Sequence, residues 1–296
     1  MTWPHAEVNI DETLVRALIE SQFPQFAHLS CHRVDEGFDN AMWRLGDDLV
    51  VRIPRREAAV EPLEHEMRWL PVVASHVTLR TPLPHLIGRA SEYFPWPWLI
   101  ARWISGTPGD EVSHEDRTSP AVALGTFLRE IHVGAPRGAP GNVYRGGPLE
   151  ERTLAFETRL LDVAAVVDVT ATRKLWAQSL AAPRWTTPPL WLHGDLHPGN
   201  TIYRDGELVG IVDFGDLCAG DPATDLAGGL MSLSFDDLAT FFATYGDVDD
   251  ATMWRTVGWA THFSVMFTSL GLSSRPSYLA VGELSLDNAL QLASTL

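Results

Sequence analysis

The segment that decides the fold runs Leu190-Trp191-Leu192-His193-Gly194-Asp195-Leu196-His197-Pro198-Gly199-Asn200, continues Thr201-Ile202-Tyr203-Arg204-Asp205-Gly206-Glu207-Leu208-Val209-Gly210-Ile211-Val212-Asp213-Phe214-Gly215-Asp216, and after three residues reaches Gly220-Asp221-Pro222-Ala223-Thr224-Asp225-Leu226-Ala227. An apolar triplet leads into a polar, glycine-containing loop. Thr201 to Tyr203 and Leu208 to Val212 then read as two strands around Asp205-Gly206, a dipeptide suited to a tight hairpin turn. Such a hairpin carries its first residues, near Asn200, beside its last, near Asp213. Asp221 and Asp225 precede and open an apolar helix, where carboxylates cap exposed N–H groups and favour the positive helix end. Asp216 fits either a structural or a functional role.

Outward from this segment the pattern divides near residue 104. Downstream, helical periodicity predicts helices over 120–133, 149–167, 170–181, 223–233, 237–245, 252–272 and 276–292, with 190–214 as the one embedded β segment. Upstream the chain is richer in strands. Leu14, Val15, Leu18 and Ile19 suggest an opening helix capped by Asn9 or Asp11. Met42 to Leu45 and Leu49 to Ile53 form a hairpin about Gly46-Asp47-Asp48, stopped by Pro54. A helix over 56–73 shows Leu63, Met67, Leu70 and Val73 on one side, and Trp96 to Ile104 gives a further strand ending in the turn-rich Ser105-Gly106-Thr107-Pro108-Gly109. Two domains are therefore expected, 1–103 and 104–296.

The chain has 296 residues, 45% of them hydrophobic, and a formal charge of −16, a balance unsuited to a nucleic-acid backbone or an anionic membrane. Residues 1–103 carry 10 basic against 14 acidic side chains and 104–296 carry 12 against 24, so the acidic excess belongs to the helical part. No apolar run is long enough to cross a membrane, and the acidic residues Glu7, Asp11, Glu12 and Glu20 do not suit a signal peptide; a cytoplasmic location is expected. Cys31 and Cys218, the only cysteines, have neither disulfide-framework nor metal spacing.

Phosphoryl transfer needs a carboxylate near the attacking hydroxyl and oxygen ligands that hold Mg²⁺ against the phosphates. Asp195 suits the first role, Asn200 with Asp213 the second. Turn and cap positions of an ordinary hairpin are the bland alternative. Zinc on His193 and His197 is disfavoured, because Gly194, Pro198 and Gly199 break the helix that would place the two imidazoles together. Asp-x4-Asn followed by Asp-Phe-Gly resembles the catalytic and metal loops of protein kinases. The longer pattern, His193 to Asn200 with Val212 to Asp216 and Gly220 to Ala227, resembles more closely the aminoglycoside phosphotransferase and choline kinase superfamily.

The resemblance implies an α+β, protein-kinase-like two-lobed fold, with a small antiparallel sheet lobe for nucleotide and a larger helical lobe for catalysis and substrate. It implies Asp195 as catalytic carboxylate, His193 as a brace of the loop, Asn200 and Asp213 as magnesium ligands, and ATP or GTP as phosphoryl donor. The family's phosphate-binding cation is usually lysine, but Lys174, the only lysine, lies far from the strand that would carry it. Arg52 stands in that place, in a stretch Val51-Arg52-Ile53-Pro54-Arg55-Arg56 similar to that of macrolide kinases. Arginine keeps the charge and binds phosphate and carboxylate in a fork. Its partner is expected to be Glu66, with Glu64 second. Glu36 to Ala41 is a weak candidate for a phosphate-covering turn. Arg102 and Trp103, on the strand that would act as hinge, are candidates to meet the nucleotide.

The implied acceptor is a hydroxylated small molecule: an aminoglycoside or other cationic antibiotic, then a macrolide, with resistance as the consequence. Choline, homoserine or a sugar remain open, as does a non-catalytic pseudokinase. A cationic acceptor follows from the acidic excess, with Glu150, Glu151, Glu157, Asp236, Asp237, Glu283 and Asp287 as candidate lining residues.

Overall fold

The computed structural model describes residues 5–37, 39–113 and 116–296; Phe38, in the expected phosphate-covering turn, lies outside the described residues. Contacts divide the chain into two compact units, Thr2–Ser75 with Arg80–Ser105, and His76–Leu79 with Gly106–Leu296.

In the first unit, helix α1 (Glu12–Gln22) begins at Asp11, whose carboxylate accepts the Leu14 N–H at 3.0 Å, and turns Val15, Leu18 and Ile19 inward. An antiparallel sheet of β1 (Cys31–Glu36), β2 (Asn40–Leu45), β3 (Leu49–Pro54), β4 (Pro84–Gly88) and β5 (Trp98–Arg102) runs in the order β1-β2-β3-β5-β4. The expected hairpin is β2–β3, with Met42 opposite Arg52 and Trp43 opposite Val51. Central β3 is buried at all six positions, the pattern of a strand covered on both faces. One face packs Val15, Leu18, Trp43, Val51, Ile53 and Trp98 into a core, and a smaller cluster holds Val50, Leu63, Leu99 and Ala101. Leu63 comes from helix α2 (Val60–Ala74), as do the inward-facing Glu66, Leu70 and Val73. A Cβ on Gly88 would lie 2.1 Å from the Trp98 ring, so only glycine admits that indole. Strands β1 and β4, at the two sheet edges, have no counterpart among the expected elements. Charged β1 and proline-started β4 suit an edge, where one side goes unpaired.

The second unit is mostly helical: α3 (Ala121–Ile131), α4 (Thr153–Asp162), α5 (Val169–Leu180), α6 (Ala223–Ser232), α7 (Phe235–Tyr245), α8 (Asp250–Ser273) and α9 (Ser277–Ala293). The long helix expected over 149–167 is instead a 3₁₀ turn (Leu149–Arg152) followed by α4. The valine-rich run after Asp162 favours helix weakly, and Asp168 caps the next helix through the Thr170 and Ala171 N–H groups. Helix α8 is buried on nearly all sides, the mark of a central core helix. Among the described residues no helix is long and apolar enough to cross a membrane.

The short strands of this unit carry the decisive segment. β7 (Leu190–Leu192) pairs antiparallel with β10 (Cys218–Gly220), and β8 (Thr201–Arg204) with β9 (Glu207–Ile211), β8 also taking β6 (Thr107–Pro108). β6 and β10 are additions to the single β segment expected. Asp205 and Gly206 both have positive φ, 54° and 81°, as a two-residue hairpin turn of the primed type requires. Cys31 and Cys218 are both buried and unpaired with each other, and burial pushes the Cys218 thiol well above its ordinary range.

Candidate active site

The loop 193–200 is fixed from beneath by Asp225, a fully buried carboxylate in the first turn of α6. Its Oδ2 accepts the His193 N–H at 2.7 Å and its Oδ1 the Gly194 N–H at 2.8 Å. His132 Nε2 lies 3.2 Å from the same Oδ2, and His132 Nδ1 is 2.9 Å from the Tyr245 hydroxyl. Sequence reasoning treats Asp225 as a helix-end carboxylate; its bonds reach instead across the fold to the 193–200 loop. Asp221 is also more than a cap. It accepts the Ala223 N–H, but takes Arg255 Nε at 2.6 Å as well. Gly194, at φ 86°, has room for no Cβ, which would stand 2.3 Å from the Asp216 carbonyl.

His193 is fully buried and braces the loop from inside. Its Nε2 donates to the Val212 carbonyl at 3.0 Å, which leaves Nδ1 to accept the Asp195 N–H at 3.2 Å. Its ring meets Phe214 edge-on, with centroids 4.6 Å apart. His197 lies elsewhere: Nδ1 accepts the Gly199 N–H, Nε2 is 3.6 Å from Asp195 Oδ2, and the ring packs against Phe267 and Tyr278. The two imidazoles therefore make separate sets of contacts at the two ends of the loop.

Asp195, Asn200 and Asp213 are brought together. Asn200 Nδ2 donates to the Asp195 carbonyl at 2.9 Å and stands 3.5 Å from Asp195 Oδ2. The Val212 N–H donates to the Asn200 carbonyl at 2.9 Å, joining the two ends of the hairpin. Asp213 follows at once, exposed and left-handed at φ 63°. Such a backbone is sparsely populated for a residue other than glycine, and strain of this kind collects at functional sites.

Arg145 was not singled out from the sequence. Its Nη2 donates to Asp195 Oδ1 at 3.0 Å and lies 4.0 Å from Asp216 Oδ2. Burial alone would raise the Asp195 carboxyl, but Arg145, with His197 and His193, holds it well below the usual carboxylate range. Asp216 goes the other way. Burial raises it, despite Arg145 beside it and an Asn142 amide donating at 2.6 Å.

In the other unit, Arg52 on β3 meets Glu66 on α2: Arg52 Nη1 donates to Glu66 Oε1, with Glu66 fully buried and Arg52 nearly so. Glu64 is exposed. A buried ion pair is a poor device for stability alone, since desolvation offsets most of the attraction. Arg55 Nη1 donates to the Gly37 carbonyl and Arg56 Nη2 to Asp39 Oδ1, so both are tied to the turn before β2. Arg102 is exposed, while Trp103 donates its N–H to the Asp48 carbonyl at 2.8 Å and lies under the Arg44 guanidinium at 4.2 Å.

The acidic residues considered for an acceptor cleft are dispersed. Glu150 pairs with Arg184 and Glu157 with Arg173, Asp237 bonds Ser234 at a helix start, and Glu151, Asp236, Glu283 and Asp287 are exposed.

The family model described as the phosphotransferase enzyme family matches residues 30–259. The chain belongs to this family. It is a phosphotransferase with a kinase-like fold, of the class that acts on hydroxyl groups. A solved GDP complex of aminoglycoside 2'-phosphotransferase-IIIa shares 23% identity at TM-score 0.70, covering 97% of this chain and 100% of that one. A GDP and kanamycin complex of an APH(2") enzyme shares 24% at 0.69, covering 93% and 97%. Macrolide 2'-phosphotransferase MphH from Brachybacterium faecium shares 20% at 0.61, covering 92% and 98%. At these identities the likeness is one of fold. No curated protein matches in sequence.

Proposed function

We propose that the protein transfers the γ-phosphoryl group of ATP or GTP, with Mg²⁺, to a hydroxyl of an antibiotic-type small molecule, and confers resistance by that O-phosphorylation. The observation that carries this is the meeting of Asp195, Asn200 and Asp213 around one hairpin.

Asn200 and Asp213 offer Mg²⁺ an all-oxygen donor set. Asn200 turns its Nδ2 to the Asp195 carbonyl, which leaves Oδ1 as its donor toward a cation, and Asp213 adds an exposed carboxylate. Few protein ligands suffice, because Mg²⁺ usually keeps water and substrate phosphates in its coordination shell. When bound, the ion would neutralise phosphate charge.

Asp195 orients the acceptor hydroxyl and takes its proton. Its basicity is low, which suits a loose transition state in which bond formation to the nucleophile is slight and positioning matters most. His193 and Asp225 hold the loop that carries it. The buried Arg52–Glu66 pair is proposed to fix a guanidinium for nucleotide phosphates, and Trp103 with Arg102 to flank the nucleotide. Related structures, solved as complexes with GDP, ATP, kanamycin and streptomycin, support a nucleotide donor and a small hydroxylated acceptor.

The test is turnover of ATP and of GTP against a panel of aminoglycosides and macrolides, with phosphorylated product read by mass spectrometry. Asp195→Ala should lower turnover by roughly 10²- to 10⁴-fold, the usual worth of a positioned proton acceptor, with nucleotide affinity little changed. Undiminished turnover in that variant would remove Asp195 from the role.

A further inference from the structure

Helices α3 and α7 meet along a seam that ends beneath the 193–200 loop. At the start of the seam a Cβ on Gly125 would stand 2.7 Å from the Phe241 carbonyl, so glycine is what lets the two backbones approach. One turn on, Arg129 Nη1 donates to the Thr244 carbonyl at 2.9 Å. At the end His132, the C-cap of α3, meets Tyr245, the last residue of α7. Its Nδ1 lies 2.9 Å from the Tyr245 hydroxyl, and the two rings cross edge-on with centroids 5.5 Å apart. Positions 125, 129 and 132 share one face of a helix, so the seam is closed by the first two contacts before Tyr245 adds its hydroxyl.

The other nitrogen of His132 faces Asp225. An ionised carboxylate only accepts hydrogen bonds. Asp225 takes the His193 and Gly194 N–H groups from the loop, and among the described residues His132 is the one side chain that donates to it, from Nε2 at 3.2 Å. Nε2 must therefore carry a hydrogen. In a neutral imidazole one nitrogen donates and the other accepts, so Nδ1 is left to accept the Tyr245 O–H. The opposite tautomer would set the Nε2 lone pair against a carboxylate oxygen inside a side-chain cluster that water does not reach. Tyr245 keeps its proton for this role, because burial, with the charges of Asp225 and Asp221, pushes its hydroxyl well above the ordinary phenol range.

Resting on the kinase activity proposed above, we propose that Tyr245 is a positioning residue: its hydroxyl locks His132 in the Nε2–H tautomer, and His132 in turn steadies Asp225 under the loop that carries Asp195. The series conveys orientation. No proton need move along it, and none of its groups touches Asp195. Phenylalanine at 245 would fill the same space and leave the seam closed, but it would free the His132 ring to exchange tautomers, and with them its bond to Asp225.

The experiment uses the full chain, labelled with ¹⁵N at histidine, at about pH 8, where a neutral imidazole is expected from the ordinary pKa of about 6.5. The His132 signals are assigned among the 11 histidines by their loss in His132→Gln. Wild type should show hydrogen on Nε2 alone, and Tyr245→Phe a mixture of tautomers. With ATP or GTP and an acceptor from the panel above, Tyr245→Phe should lower kcat roughly 2- to 10-fold, the scale of one neutral hydrogen bond, with nucleotide KM unchanged. In His132→Gln, whose amide donates to Asp225 with no tautomer to lose, Tyr245→Phe should cost nothing further. Hydrogen on Nδ1 alone or on both nitrogens of wild-type His132 would overturn the assignment, as would an unaltered tautomer or an unaltered kcat in Tyr245→Phe. Should that variant show no melting transition, the wild-type tautomer decides. Absence of any phosphorylated acceptor would instead refute the functional proposal, and the NMR outcomes would still decide whether Tyr245 locks the tautomer.

Discussion

Asp225→Asn is the substitution with the largest expected effect for the smallest change in shape. The side chain keeps its size, but one carboxylate oxygen becomes an NH₂ group facing a backbone N–H, either His193 at 2.7 Å or Gly194 at 2.8 Å. One charge-assisted hydrogen bond is lost, the other weakens to a neutral one, and a buried donor is left without an acceptor. At about 1.5–3 kcal/mol for a bond to a charged group and about 1–3 kcal/mol for a stranded buried donor, the expected loss is roughly 3–5 kcal/mol. That is a large part of the usual total of about 5–15 kcal/mol. The urea midpoint, followed by tryptophan fluorescence, should fall accordingly. Turnover should fall too, because these two N–H groups set the height of the loop that carries Asp195, and a displacement of about 1 Å can cost about 10²-fold. Nucleotide KM should change less than kcat. In a double-mutant cycle with His132→Ala, the two losses should fall short of additivity, since His132 bonds the same carboxylate at 3.2 Å. A parent-like midpoint with parent-like kcat would refute the reasoning outright. Additive losses would refute the coupling of His132 to the loop.

Asp213→Ala should raise the Mg²⁺ concentration needed for half-maximal activity and weaken nucleotide binding, read by activity titrations with metal; an unchanged metal requirement removes Asp213 as a ligand. Arg52→Ala should raise nucleotide KM, lower kcat and reduce stability, because it breaks the buried ion pair with Glu66, while Arg52→Lys should recover part of the activity. Normal kinetics in the alanine variant would move the phosphate cation elsewhere. His262, whose pKa burial lowers from 6.5 to about 3, aided by Arg145, Arg159 and Arg152, gives the acid-stability prediction. Below pH 6.5 the unfolded chain binds a proton that the folded chain refuses, so this site's stability is complete above pH 6.5 and declines by about 1.4 kcal/mol per pH unit toward pH 3; His262→Phe should flatten the urea midpoint against pH in that window, and parallel curves would refute it.

Asp195, Asn200 and Asp213 were legible because a hairpin is local. Asp205-Gly206 dictates the turn, the turn dictates the pairing, and the pairing sets Asn200 beside Asp213. Arg52 and Glu66 were legible for a related reason, since a strand and the helix that follows it must bury their facing sides together. Edge strands β1 and β4 escaped because their sequences, Cys31–Glu36 and Pro84–Gly88, mix charged residues, proline or glycine with few apolar ones and carry no strong alternation. Asp225 and Arg145 escaped for a different reason. Local chemistry explains a carboxylate at a helix start, and nothing near Asp225 in sequence reveals that its partners are His193, Gly194 and His132, 32, 31 and 93 positions away. Arg145 reaches Asp195 across 50 positions from a loop with no periodicity at all. What local pattern does mark is a set of polar residues close together in sequence, on one loop and the hairpin that follows it. The groups that touch Asp195 or hold its loop from outside, Arg145, Asp225 and His132, come from distant loops and helices with no local signal to mark them. The 24 acidic residues of 104–296 include many that are exposed or paired with arginine, and the charge in contact with Asp195 is an arginine, a local arrangement that the overall balance does not reveal.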